Sequence, residues 1–117
     1  ESPRGYMETR HIGNQVRVMI HDALDAFARL DAEQALRVMM ADADIDREYQ
    51  SATRTLMTYM IEDPRHIARV INVMWVLRSL ERIGDHARNI SEQVIYMVKG
   101  LDVRHTSFEE VEKHIQK

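Results

Sequence analysis

Glu81 and Asp85 stand four residues apart in the stretch LERIGDHARNISE, Leu80 to Glu92, where polar chemistry is densest. On an α-helix, positions i and i+4 share one face, so these carboxylates repel each other by about a few tenths of a kcal/mol. A divalent metal or a cationic partner would offset that repulsion, although a solvated helix edge is the plainer reading of any single pair. A second pair, Asp42 and Asp46, repeats the spacing. A helical wheel at about 100° per residue puts Asp42 inside an apolar stripe and Asp46 at its edge, while Asp44 and Glu48 point away and read as solvated charges. An aspartate among core positions is costly unless it is paired or metal-bound.

The elements that must position these acids follow from apolar spacing and punctuation. Ile12, Val16, Met19, Ala23, Phe27 and Leu30 recur at helical intervals and predict a first helix from about Arg4 to Leu30. Asp31 with Gln34 three residues on reads as a capping box that opens a second helix, Ala32 to Glu62. Asp63-Pro64 then opens the third, Pro64 to Lys99, whose stripe includes Ile67, Val70, Leu77, Leu80, Gly84, Ala87 and Val98 and which stops at Gly100. Trp75 falls off that stripe, as a partner-facing or half-buried aromatic. The tail, Leu101 to Lys117, predicts a short helix capped by Ser107 with Glu110. Short connections between long amphipathic helices imply antiparallel neighbours, hence an all-α, up-down-up three-helix bundle forming one domain over residues 1–117.

Register then joins the two pairs. Asp46 lies 17 positions before Asp63 and Glu81 lies 18 after it; Asp42 lies 21 before and Asp85 lies 22 after. At a rise of about 1.5 Å per residue the pairs reach the same height on adjacent helices, with Asp42 facing Asp85 and Asp46 facing Glu81. The expected metal ligands are therefore Asp42, Asp46, Glu81 and Asp85. Hard oxygen donors of this kind suit Mn, Fe, Mg or Ca, and nothing calls for an organic cofactor. Gly84 lets a helix or a metal approach closely, or simply eases packing. His86 and Asn89 are candidate supporting groups, with a surface histidine the commoner outcome. Arg88 is placed to pair with Glu92, Val16 to Ile20 form an apolar backing wall interrupted by Arg17, and the methionines, Met39 and Met40 included, read as core filler.

Bulk properties narrow the function classes. The 117 residues carry a net charge of −3 and no basic run, which argues against a nucleic-acid surface. Zero cysteines exclude disulfides and thiolate chemistry and fit a reducing compartment. No apolar run approaches the roughly 20 residues that a membrane-spanning helix needs, and no signal peptide is visible. The chain opens on Glu1, which reads as a fragment or a processed product. A ferritin-like di-metal oxidase needs two Glu-x-x-His motifs; only Glu8 to His11 has that spacing, far in register from the acids. A metal-free interaction domain, its acids bound to a basic surface, is the other alternative.

The stretch LRSLERIGDHARNISEQVIYMVKGLDVRH, Leu77 to His105, with Asp42-x-x-x-Asp46 on the preceding helix, resembles the C-terminal half of the PhoU family of bacterial phosphate-uptake regulators. The resemblance implies two tandem three-helix bundles, of which this chain holds one, and acidic motifs that bind metal clusters in some members. It also implies a non-enzymatic, cytoplasmic negative regulator of phosphate uptake and of the phosphate-starvation response. Such a regulator contacts the ATPase of the phosphate ABC transporter and the phosphate-sensing histidine kinase. A homo-oligomer would replace the missing half.

Overall fold

The computed structural model describes residues 6–100 and 108–116. Helix α1 spans Tyr6–Arg29, α2 Ala32–Glu62, α3 Ile67–Lys99 and α4 Phe108–Gln116, with a 3-10 turn at Pro64–His66 before α3. The three long helices all pack on one another, and α4 lies against α2. The expected start at Arg4 and the expected cap at Ser107 fall outside the described residues.

The α1–α2 connection is two residues long and departs from expectation in its details. α1 ends at Arg29, and Leu30 takes the left-handed conformation at φ 54°. The Asp31 amide donates to the Ala26 carbonyl at 2.9 Å and the Leu30 amide to Phe27 at 3.3 Å. Together these form the Schellman arrangement that glycine usually serves, with leucine at a position that costs it about 1 kcal/mol. Asp31 Oδ1 accepts from the Gln34 amide at 3.0 Å and so caps α2. The reciprocal half of the capping box does not form, because the Asp31 amide is already engaged. Gln34 Oε1 instead accepts from Arg29 Nη2 at 3.1 Å.

At the second connection Asp63 serves both helices. Its amide donates to the Tyr59 carbonyl at 3.0 Å, closing α2, and its Oδ1 accepts from the Arg65 amide at 3.2 Å. The first turn of the expected third helix tightens to 3-10 geometry, where the His66 amide reaches Asp63 at 3.1 Å and the His66 ring stacks on Tyr59 with centroids 5.0 Å apart. At the far end Gly100 (φ 67°) takes the left-handed position and its amide closes on Tyr96 at 2.8 Å.

The main core joins Ile12, Val16 and Met19 of α1 to Val38 and Leu56 of α2 and to Val70 and Leu77 of α3. A fully buried leucine such as Leu77 contributes about 2 kcal/mol. A second cluster seats Val111 and Ile115 of α4 against Ala32 and Ala35. Four residues expected on buried stripes, Phe27, Leu30, Ile67 and Val98, are exposed; at the end of α1 the buried stripe steps from Ala23 to Ala26, three residues on, and leaves Phe27 outside. Methionine as uniform core filler also fails: Met19 and Met39 are buried, but Met7, Met40, Met57 and Met97 are exposed. Adjacent residues differ by about 100° around a helix, so Met39 and Met40 cannot both face inward.

Candidate metal centre in the α2–α3 groove

Asp42 is 3% exposed, on the α2 face that the wheel assigned to the core. Opposite it, Gly84 of α3 has no side chain, and a Cβ there would lie 3.3 Å from Asp42 Oδ1 and 4.0 Å from Val16 Cγ2 of α1. Here glycine admits a carboxylate between two helices. One turn along the same face of α3, Arg88 Nη1 donates to Asp42 Oδ2 at 3.3 Å. Asp46, Glu81 and Asp85 are half-buried around this pair.

All four acids lie within electrostatic reach of one another. Burial pushes the Asp42 carboxyl up to about 6, helped by the charges of Asp46, Asp85 and Glu81 and opposed by Arg88. Asp46 is raised by burial and then by Asp85, with Arg88 opposing. Glu81 is raised by burial, then by Asp85 and Asp46, with Arg78 opposing. The register count therefore brings the pairs together. It does not bring them into a ligating group: among the described residues, no three His, Asp or Glu side chains are gathered closely enough to hold a metal ion. The donors are the hard oxygens that Mn, Fe, Mg or Ca prefer, but Asp42 is buried, with Oδ1 packed against the Gly84 backbone. The acid at the centre, however, already has a cation on its other oxygen.

Of the supporting residues, His86 and Asn89 are exposed, and Arg88 pairs with Asp42 rather than with Glu92. Asp44 is a surface charge, paired with Arg47. Glu48 is not simply solvated: its Oε1 lies 3.4 Å from His11 Nε2 of α1, and its Oε2 is buried without a hydrogen-bond partner. A wheel centred on one stripe missed this because α2 has two neighbours, and Glu48 lies on the flank towards α1. The Glu8-x-x-His11 motif is spent there, in a small hollow shared with Glu48, and not at the acid groove. Sequence reasoning also missed Tyr49, whose phenol is raised by burial and by Glu81. A signal for it existed, since Tyr49 follows Asp46 by three residues on the α2 stripe. A separate cavity of about 570 Å³ opens between α1 and α2, and none of the four acids lines it.

Fold and groove define a class: an antiparallel helical bundle organised around a buried, arginine-paired aspartate in an acidic groove. The chain belongs to the PhoU family, whose PhoU domain model matches residues 9–94. It is similar to a Pseudomonas putida protein described as a phosphate-specific transport system accessory protein PhoU homolog. The two are 65% identical over 116 residues, covering 99% of this chain and 45% of that protein. The Escherichia coli K12 accessory protein PhoU is 46% identical over 102 residues, covering 87% of this chain and 42% of its own length. A crystal structure of PhoU from Pseudomonas aeruginosa superposes with a TM-score of 0.84 at 65% identity, over 86% of this chain and 48% of that one. The chain spans about half the length of the curated relatives it matches.

Proposed function

We propose that this chain is part of a PhoU-type regulator that acts by contact, holding phosphate uptake and the phosphate-starvation response down when phosphate is plentiful. The observation that carries the reading is the 65% identity, across 99% of the chain, to a protein described as an accessory of phosphate-specific transport. The partners in this reading are the transporter's ATPase and the phosphate-sensing kinase, in the cytoplasm, with a second copy or a second bundle completing the molecule. No helix among the described residues is long and apolar enough to cross a membrane. The relatives are named as accessory proteins rather than enzymes, and the chain is assigned no catalysis. Trp75, 63% exposed beside Ile71 on α3, offers an apolar contact of the sort such a role needs.

The test is a half-for-half exchange. In Pseudomonas putida, the matched segment of the relative is replaced by this chain and a phosphate-starvation reporter is read in rich phosphate. Repression equal to wild type is expected; a reporter as active as in the deletion strain overturns the reading. The metal patch has its own test. Mn, Mg or Ca added after chelator treatment should raise the melting temperature of the wild-type chain, by mass action on the folded state, and leave Asp85→Ala unmoved. A melting temperature that none of the three metals moves, in wild type and in Asp85→Ala alike, would remove the patch from the proposal.

A further inference from the structure

We propose that the outer face of the α2–α3 pair around Trp75 is a docking site for an amphipathic helix of a partner protein, which seats one large apolar side chain beside Trp75 and a carboxylate on Arg78. This rests on the contact-acting reading above and names the surface and the kind of segment that such contact requires.

The face is apolar where the fold does not need it to be. On α3, Ile67, Ile71 and Trp75 follow one another at intervals of four and all are exposed, while the buried stripe of the same helix runs through Val70, Leu77 and Gly84 on another side. Ile61, 75% exposed on the last turn of α2, and Met57 one turn earlier add apolar surface at the same end of the bundle. Beside Trp75 a hollow of about 250 Å3 opens, lined by Tyr49 of α2 and by Ile71, Met74, Trp75 and Arg78 of α3. Its volume lies below the roughly 300–1,000 Å3 of small-molecule sites, so it suits an anchoring side chain better than a cofactor. Tyr, Trp, Met and Arg are the residues that interface cores collect, and the lining holds all four and no Lys, Asp or Glu.

Charge chooses the occupant. Arg78 stands at the hollow and Arg82 one turn beyond it. Both are exposed and neither forms a salt bridge among the described residues, although the charge of Arg78 reaches Glu81 and Tyr49. A helix that fills the hollow with an apolar side chain and carries Asp or Glu one turn along gives the guanidinium a two-pronged partner. A basic segment is repelled at the same place. A second copy of this chain fits no better, because a two-fold contact centred on the hollow sets Arg78 against Arg78. The ridge of Ile67, Ile71 and Trp75 supplies the spacing that a helix laid along a groove reads.

The experiment uses the half-for-half exchange, with benzoylphenylalanine introduced at Ser79, exposed one turn past Trp75. Irradiated in rich phosphate, a repressing strain should yield a cross-linked partner. Mass spectrometry of the joined peptide should show a large apolar residue with Asp or Glu one helical turn from it. A cross-link to a segment without a carboxylate, to a second copy, to the other half of the same chain or to lipid overturns the proposal, and so does no cross-link in a strain that represses. A strain that does not repress overturns the contact-acting reading, and the docking site falls with it. Charge exchange is the second measurement. Arg78→Glu should cut the cross-linked yield at least tenfold, and replacing the partner's mapped carboxylate with arginine should restore it, which a misfolded variant would not allow. An undiminished yield, or a loss that the exchange does not restore, also overturns the proposal.

Discussion

In the α2–α3 groove Asp42 is closed in by α1 and α3, ringed by Asp46, Glu81 and Asp85, and reached by one arginine nitrogen at 3.3 Å. Asp63, 21 residues further on and just past the end of α2, lies at the open turn. It accepts from Arg65 Nε at 2.9 Å, from Arg65 Nη2 at 3.0 Å and from the Arg65 amide, with His66 Nε2 3.1 Å away. The same side chain is pushed up to about 6 in the first place and drawn down to about 2 in the second, where the Arg65 hydrogen bonds are the largest cause. The turn uses a carboxylate to hold two helices in register. The groove keeps one at a cost to the fold, and a residue retained against stability is a candidate for binding.

Crowding gives the largest test of that contrast. Gly84→Val would drive methyl groups into Asp42 Oδ1 and Val16, with an expected loss of about 2 kcal/mol in urea unfolding. No loss would mean the groove is looser than described, and the contrast with the open turn would collapse. Next is neutralisation of the buried acid. Asp42→Asn, in chelator at pH 8, should gain about 1 kcal/mol, because the charge it removes is buried among like charges while the amide oxygen can still accept from Arg88. A folded pKa of about 6 against an ordinary 3.8 means that wild type itself gains stability as the pH falls from about 6 to about 4. The advantage of Asp42→Asn should therefore shrink over that window and vanish near pH 4. An advantage constant with pH would break the contrast. The smallest effect belongs to the turn. A carboxyl lowered to about 2 stabilises the fold above about pH 4 and stops doing so as the pH falls through 2. Asp63→Ala should therefore lower the melting temperature modestly at pH 7 and by progressively less in acid, the opposite sign to Asp42→Asn.

Much of this was legible in the sequence, and particular residues show why. Asp31, Asp63 and Gly100 mark helix ends through local chemistry within a few residues, and α2 runs between the predicted bounds. The height of the four acids followed from counting around one short turn. Arg88 was legible too, but it was assigned to Glu92, its neighbour one turn away, rather than to Asp42, 46 positions back. The clue was directional: helical side chains lean toward the helix N-terminus, which carries a long arginine from position 88 back to the height of Gly84. What counting could not supply was the lateral arrangement. The His11–Glu48 pair depends on how α1 leans on α2, and the exposure of Phe27 beside a fully buried Ala26 depends on which side of α1 its neighbours cover. Neither is periodic in the sequence.

The Pro64–His66 turn buries no residue completely and exposes Pro64 and Arg65, the setting in which loops usually tolerate changes of length. Here it does not have that freedom. One residue added or removed would turn α3 by about 100° and slide it about 1.5 Å, taking Val70, Leu77 and Ala87 out of the core as Glu81 and Asp85 swing out of the groove. Substitution in this turn is tolerable, but insertion and deletion are not. Across the homologous bundles, the spacing between the two acidic motifs should thus drift more slowly than the turn's amino acids.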